Sequence, residues 1–94
     1  MYTLQIQHEI PSYEGWKAAF DSDPVGRKRS GVIRCRILRP VDNPNDVMIE
    51  LDFDTAAQAE ALLSAMRGIW ADVQGTLVMS PTVRILEVAQ TVDY

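Results

Sequence analysis

Residues 47–54 read VMIELDFD, and residues 55–70 continue TAAQAEALLSAMRGIW. In the first stretch Val47, Ile49, Leu51 and Phe53 alternate with Met48, Glu50 and Asp52. A period of two predicts a half-buried strand, because successive strand side chains point to opposite faces of a sheet. The period then changes. Ala59, Leu62, Leu63, Met66, Ile69 and Trp70 recur every three or four residues, the stripe of an amphipathic helix. Thr55, followed three residues later by Gln58, marks the switch as a capping box in which each side chain bonds the other's backbone N–H. Gly68 and Gly75 loosen the pattern, so the helix is expected to end or kink after Met66.

The same arguments extend in both directions. Tyr2 to His8 alternates, with Leu4, Ile6 and His8 on one face and Thr3, Gln5 and Gln7 on the other, predicting a first strand. Ser12 is an N-cap candidate, Glu14 favours the first turn, and Tyr13, Trp16 and Phe20 form an aromatic stripe on the helix that follows. Asp23-Pro24 interrupts that helix and can cap a second short turn, ending in Arg27-Lys28-Arg29 and Gly31. Val32 to Arg39 predicts a second strand with Ile33, Cys35 and Ile37 facing one way and Arg34 and Arg36 the other. Turn formers fill 40–46, and Pro81 leads into a last strand over Thr82 to Val88.

The resulting order is βαββαβ in a single domain, 1–94. The commonest solution is an α+β, ferredoxin-like fold, a four-stranded antiparallel sheet with both helices on one face. The apolar strand faces should lie under the helices. The opposite face, bearing Gln5, Gln7, Arg34, Arg36, Met48, Glu50 and Asp52, is left for water or a partner sheet.

Composition excludes several functions. With 94 residues, 47% hydrophobic and 23% charged, the chain is an ordinary globular one. A net charge of −4 disfavours nucleic acid as a partner. One cysteine rules out a disulfide framework, and one histidine, His8, rules out a two-histidine zinc site within one chain. No charged start leads into a long apolar run and no stretch is long enough to span a membrane, so a cytoplasmic domain is expected, with no membrane partner. The absence of a phosphate-binding glycine loop or dinucleotide fingerprint argues against nucleotide-dependent chemistry.

The pattern as a whole resembles the dimeric α+β barrel proteins of the antibiotic biosynthesis monooxygenase superfamily, and within it the small bacterial branch often labelled cyclase. The likeness is carried by His8, the run SYEGWKAAFD at 12–21, Gly31-Val32, the segment RPVDNPNDV at 39–47, and ELDFD at 50–54. It covers nearly the whole chain, but it signals fold more than chemistry. It implies a homodimer whose sheets pack face to face, with a ligand cleft between helices and sheet in each subunit. The best-known relatives oxidise hydroquinone-like or anthrone-like aromatics with dioxygen and need no cofactor. Others bind haem, cyclise polyketides, isomerise lactones or handle signalling molecules.

Candidate site residues follow from facing and chemistry. His8 shares its face with Leu4 and Ile6, so its imidazole is the candidate catalytic base toward a phenol or activated methylene. The plainer reading makes it a strand-end residue hydrogen-bonded to fix the first turn. Trp16, Trp70, Met66 and Phe53 are candidates to bind an aromatic or polyketide-like ligand; Phe20 and Phe53 also suit the core. Arg34, Arg36 and Glu50 serve either an anionic substrate within the dimer or cross-strand ion pairs. Arg27-Lys28-Arg29 reads as a solvated helix end or an anion site, and Cys35 as a small buried hydrophobe. Two functions stand: a cofactor-free monooxygenase or cyclase, and a non-catalytic ligand-binding or structural dimer. A haem protein is a weaker third, with His8 its only histidine ligand.

Overall fold

A computed structural model describes residues 1–73 and 79–94. Four strands, β1 (Tyr2–Glu9), β2 (Arg34–Leu38), β3 (Asp46–Phe53) and β4 (Met79–Glu87), alternate with two helices, α1 (Tyr13–Asp21) and α2 (Ala56–Val73), in the predicted βαββαβ order. The strands form one antiparallel sheet in the order β2-β3-β1-β4, the ferredoxin-like arrangement. The two longest-paired strands are central, and their apolar residues face the helices as the period of two requires. Leu4 and Ile6 pair across from Leu51 and Ile49, and His8 from Val47. Phe53, Leu4, Ile6, Ile49, Leu51, Val47 and Leu62 are fully buried.

The caps form as their residue types dictate. Ser12 Oγ accepts from the Gly15 N–H, and Glu14 sits in the first turn of α1. Thr55 and Gln58 make both bonds of the capping box, each at 3.2 Å. Between α1 and β2 the chain runs through short turns, as expected. Asp23 (φ 53°) and Gly31 (φ 98°) take left-handed conformations there, and Asp23 Oδ1 accepts from the Arg27 N–H.

Several expectations need correction. The α2 helix continues through Gly68 to Val73, because its stripe of packing residues outweighs one glycine's propensity loss; Gly75 lies outside the described residues. Strand β4 starts at Met79 and contains Pro81, which an edge strand tolerates. A register shift falls there, Gln7 opposing Thr82 and Glu9 opposing Met79, so two residues of β4 face His8. Strand β2 is shorter than expected. It is an edge strand that the helices do not reach, so Cys35 and Ile33 are exposed rather than buried. The thiol still has its pKa raised, by partial burial, with Arg27 and Lys17 pulling the other way.

The face away from the helices carries paired polar rows. Asp52 accepts from Thr3 Oγ1 at 2.7 Å and from Arg34 Nε at 2.9 Å. Glu50 accepts from Gln5 Nε2 and pairs with Arg36, so the cross-strand pairing expected of Arg34, Arg36 and Glu50 is present. Among the described residues no helix is long and apolar enough to cross a membrane.

Candidate active site

The first helix stands off from the sheet: among the described residues none of its Cα atoms lies within 8 Å of a strand or of α2. Long side chains bridge the gap, and a cavity of about 240 Å³ remains under the helix layer. Ile6, His8, Ile49 and Leu51 form its floor. Trp16, Ala19 and Phe20 from α1 make one wall, and Met66, Ile69 and Trp70 from α2 another. Residues of the loop after α1, among them Val25 and Arg27, complete the lining.

His8 reaches this floor because it continues the inward parity of Leu4 and Ile6. It is 3% exposed, and among the described residues neither Nδ1 nor Nε2 has a hydrogen-bond partner. Among the described residues, then, no group bonds the ring to hold the turn as the plainer reading expects. Burial lowers its pKa from 6.5 to about 4, against a smaller opposing pull from Asp46, so the ring is neutral near pH 7. Buried polar atoms are nearly always satisfied, which makes an imidazole beside a cavity with both nitrogens buried and unpartnered a mark of ligand chemistry.

Trp16 is the pivot of the aromatic wall. Its ring stands edge-on to His8 with centroids 6.0 Å apart and stacks on Phe20 at 5.0 Å. Tyr13 extends the row at 5.8 Å. Arg27 lays its guanidinium over Phe20, 3.8 Å from the ring centroid, and donates from Nη1 to the Phe20 carbonyl at 2.9 Å. The lining is otherwise almost wholly apolar. Among the described residues no three His, Cys, Asp or Glu side chains cluster as a metal cage would require.

Of the residues singled out from sequence, His8, Trp16, Met66 and Trp70 meet around one cavity. Phe53 does not: it is fully buried in the part of β3 paired with Tyr2 and belongs to the core. Phe20, read as core, packs against the core and also lines the cavity. Arg27, read within a charged run, was missed as a wall residue. Its sequence neighbours Lys28 and Arg29 are exposed, and nothing in the run distinguishes the one cation that folds back.

No family model matches the chain, and no curated protein matches it. Solved structures do. SnoaB, a cofactor-independent oxygenase from Streptomyces nogalater, superposes with a TM-score of 0.78 at 13% identity, over 99% of this chain and 97% of that one. A variant of MhuD, solved with two manganese protoporphyrin IX molecules per active site, gives 0.73 at 15% identity, over all of both chains. The chain has their fold. A dimeric ferredoxin-like protein from an uncultured marine organism gives 0.66 at 14% identity, with 97% of each chain covered. These likenesses bear out the ferredoxin-like architecture and the resemblance to monooxygenase-type barrels at the level of fold.

Proposed function

We propose that this protein is a homodimeric, cofactor-free enzyme acting on an aromatic or polyketide-like phenol held in the cavity. The observation that carries the reading is His8, buried among apolar and aromatic walls with neither nitrogen partnered among the described residues. A phenol or enolisable methylene beside it supplies the missing hydrogen bonds. A neutral imidazole offers one acceptor nitrogen and one N–H donor, so it can take a proton or steady an oxygen. Trp16 and Phe20 on one side, Met66 and Trp70 on the other, hold the ring and keep water out.

In the oxygenase form His8 removes a proton from the activated carbon acid, and the electron-rich anion reacts directly with dioxygen. A methylene then becomes a ketone, one oxygen atom entering the product and the other leaving as water. The four electrons come from the methylene carbon, so no external reductant is needed. The fold shared with SnoaB, itself a cofactor-independent oxygenase, supports this choice. Proton loss without dioxygen, followed by loss of water, would be the cyclase form of the same site.

The low basicity of His8 favours a second reading, a non-catalytic ligand-binding dimer. An imidazole with pKa about 4 is a weak acceptor for a phenolic proton until a nearby anion offsets the loss of hydration. In that reading it serves as a hydrogen-bonding handle. Aerobic incubation with hydroquinones, anthrones and polyketide-like phenols, following oxygen uptake and product mass, separates the readings. Oxygen-containing product that falls by about a hundredfold in His8→Ala is expected, the range of general-base contributions. Turnover that His8→Ala leaves unchanged overturns the catalytic role of His8. Binding with no turnover of any kind leaves the second reading.

A further inference from the structure

We propose that Arg27 anchors a carboxylate at the rim of the cavity, making the ligand a hydroxylated aromatic acid rather than a neutral phenol. The inference rests on the cavity being the ligand site. Among the described lining residues Arg27 is the one permanently charged side chain, and no acid shares the wall with it. Its side chain is only 21% exposed, so its charge acts across a partly desolvated space, where ionic hydrogen bonds are strongest.

The guanidinium is held but not consumed. Its ring contact is with Phe20, and one of its five N–H donors goes to the Phe20 carbonyl. Its acidic neighbour Asp23 stands 3.6 Å from Nε, beyond hydrogen-bond length, and does not line the cavity. Asp23 therefore tempers the charge without occupying the fork. The positive field also reaches β2, where Arg27 and Lys17 both favour the ionised thiol of Cys35.

Spacing completes the argument. Phe20 and Trp16 stack, with Arg27 packed on the first and His8 set edge-on to the second. The two polar groups bracket the stacked pair. A fused-ring ligand spanning the cavity beside that row thus presents an oxygen at one end to His8 and an anion at the other to Arg27.

Hydroxynaphthoate and naphthol differ only in the carboxylate and serve as probes. Trp16 and Trp70 are the chain's two tryptophans and both line the cavity, so fluorescence quenching reports its occupancy. A merely apolar cavity prefers the neutral naphthol, since burying an unpaired anion is costly. We expect the full chain to bind hydroxynaphthoate about tenfold more tightly than naphthol, with the preference shrinking as salt is raised. Arg27→Gln should abolish the preference, and Arg27→Lys should keep part of it. Equal binding of the two probes by the unmodified chain overturns the inference and leaves the cavity reading intact, and that result needs no variant to fold. A preference that survives in a folded Arg27→Gln also overturns it. Quenching by neither probe removes the cavity reading and the inference together.

Discussion

Among the described residues His8 is the least comfortable, its imidazole buried with neither nitrogen partnered. Its ring is neutral in the fold below the pH at which an unfolded chain protonates it, since its pKa falls from 6.5 to about 4. Above about pH 6.5 both states carry a neutral ring and the residue adds no pH dependence. As pH falls from there toward about 4, the unfolded state takes up a proton that the folded state refuses, so stability drops with falling pH. Lowering the pH from about 7 to about 4.5 should therefore destabilise the unmodified protein by about 2 kcal/mol more than His8→Gln, measured by urea unfolding. Equal losses in both proteins would mean that the imidazole is hydrated. The inward facing of this residue was legible in the alternation of 2–8, because parity is a property of the strand alone. The absence of a partner for either nitrogen among the described residues was not, since it depends on how the sheet and Trp16 come together around the ring. Phe53 shows the converse. It shares its parity with Leu51 and Ile49, which line the cavity, yet it lies too far along β3, and position along a strand relative to a helix above it is a tertiary property.

At the level of elements, local signals were most readable where the chain supplies its own partner. The capping box at Thr55 and Gln58 and the Ser12 cap involve residues three apart, and both form. Misreadings fell where a neighbouring element decides. Strand β4 absorbs Pro81 because it is an edge, and Cys35 is exposed because β2 lies at the other edge beyond the helices. The continuation of α2 through Gly68 has the same origin, as Met66, Ile69 and Trp70 pack inward on both sides of the glycine. Gly68 is exposed, has no positive φ, and a Cβ built on it meets nothing within 4 Å. It therefore contributes only the entropy penalty of a helical glycine, about 0.5–1 kcal/mol. Gly68→Ala should raise the thermal midpoint by about 3–6 °C for a domain of this size. Calorimetry showing a lowered midpoint would mean that the helix needs to bend at this position.

For the whole molecule the open question is what covers the sheet face away from the helices. Its central charges are already neutralised within the chain: Asp52, 6% exposed, holds Thr3 and Arg34, and Glu50 holds Gln5 and Arg36. Such rows can be buried without leaving a carboxylate unpaired, which is the condition under which burying charge is tolerable. Half-buried Met48 lies between the paired rows and exposed Leu38, and exposed Leu86 shares the face at the β4 side. A second copy meeting the same face by a two-fold axis would match polar rows with polar rows and put these apolar groups in contact. We therefore expect sedimentation equilibrium to give twice the 10.6 kDa of the chain at micromolar concentration. Met48→Glu would bring a new carboxylate beside Glu50 into that contact with no cation reserved for it. In a lone subunit the same side chain, half-buried at the surface, can turn to water. The variant should thus sediment as a folded monomer with its circular dichroism unchanged, whereas a Met48→Leu control should remain dimeric. A dimer that persists in Met48→Glu would place the subunit contact elsewhere, on the helices or along the free edge of β2 or β4, and the open face would then be a solvated surface whose ion pairs only hold the strands in register.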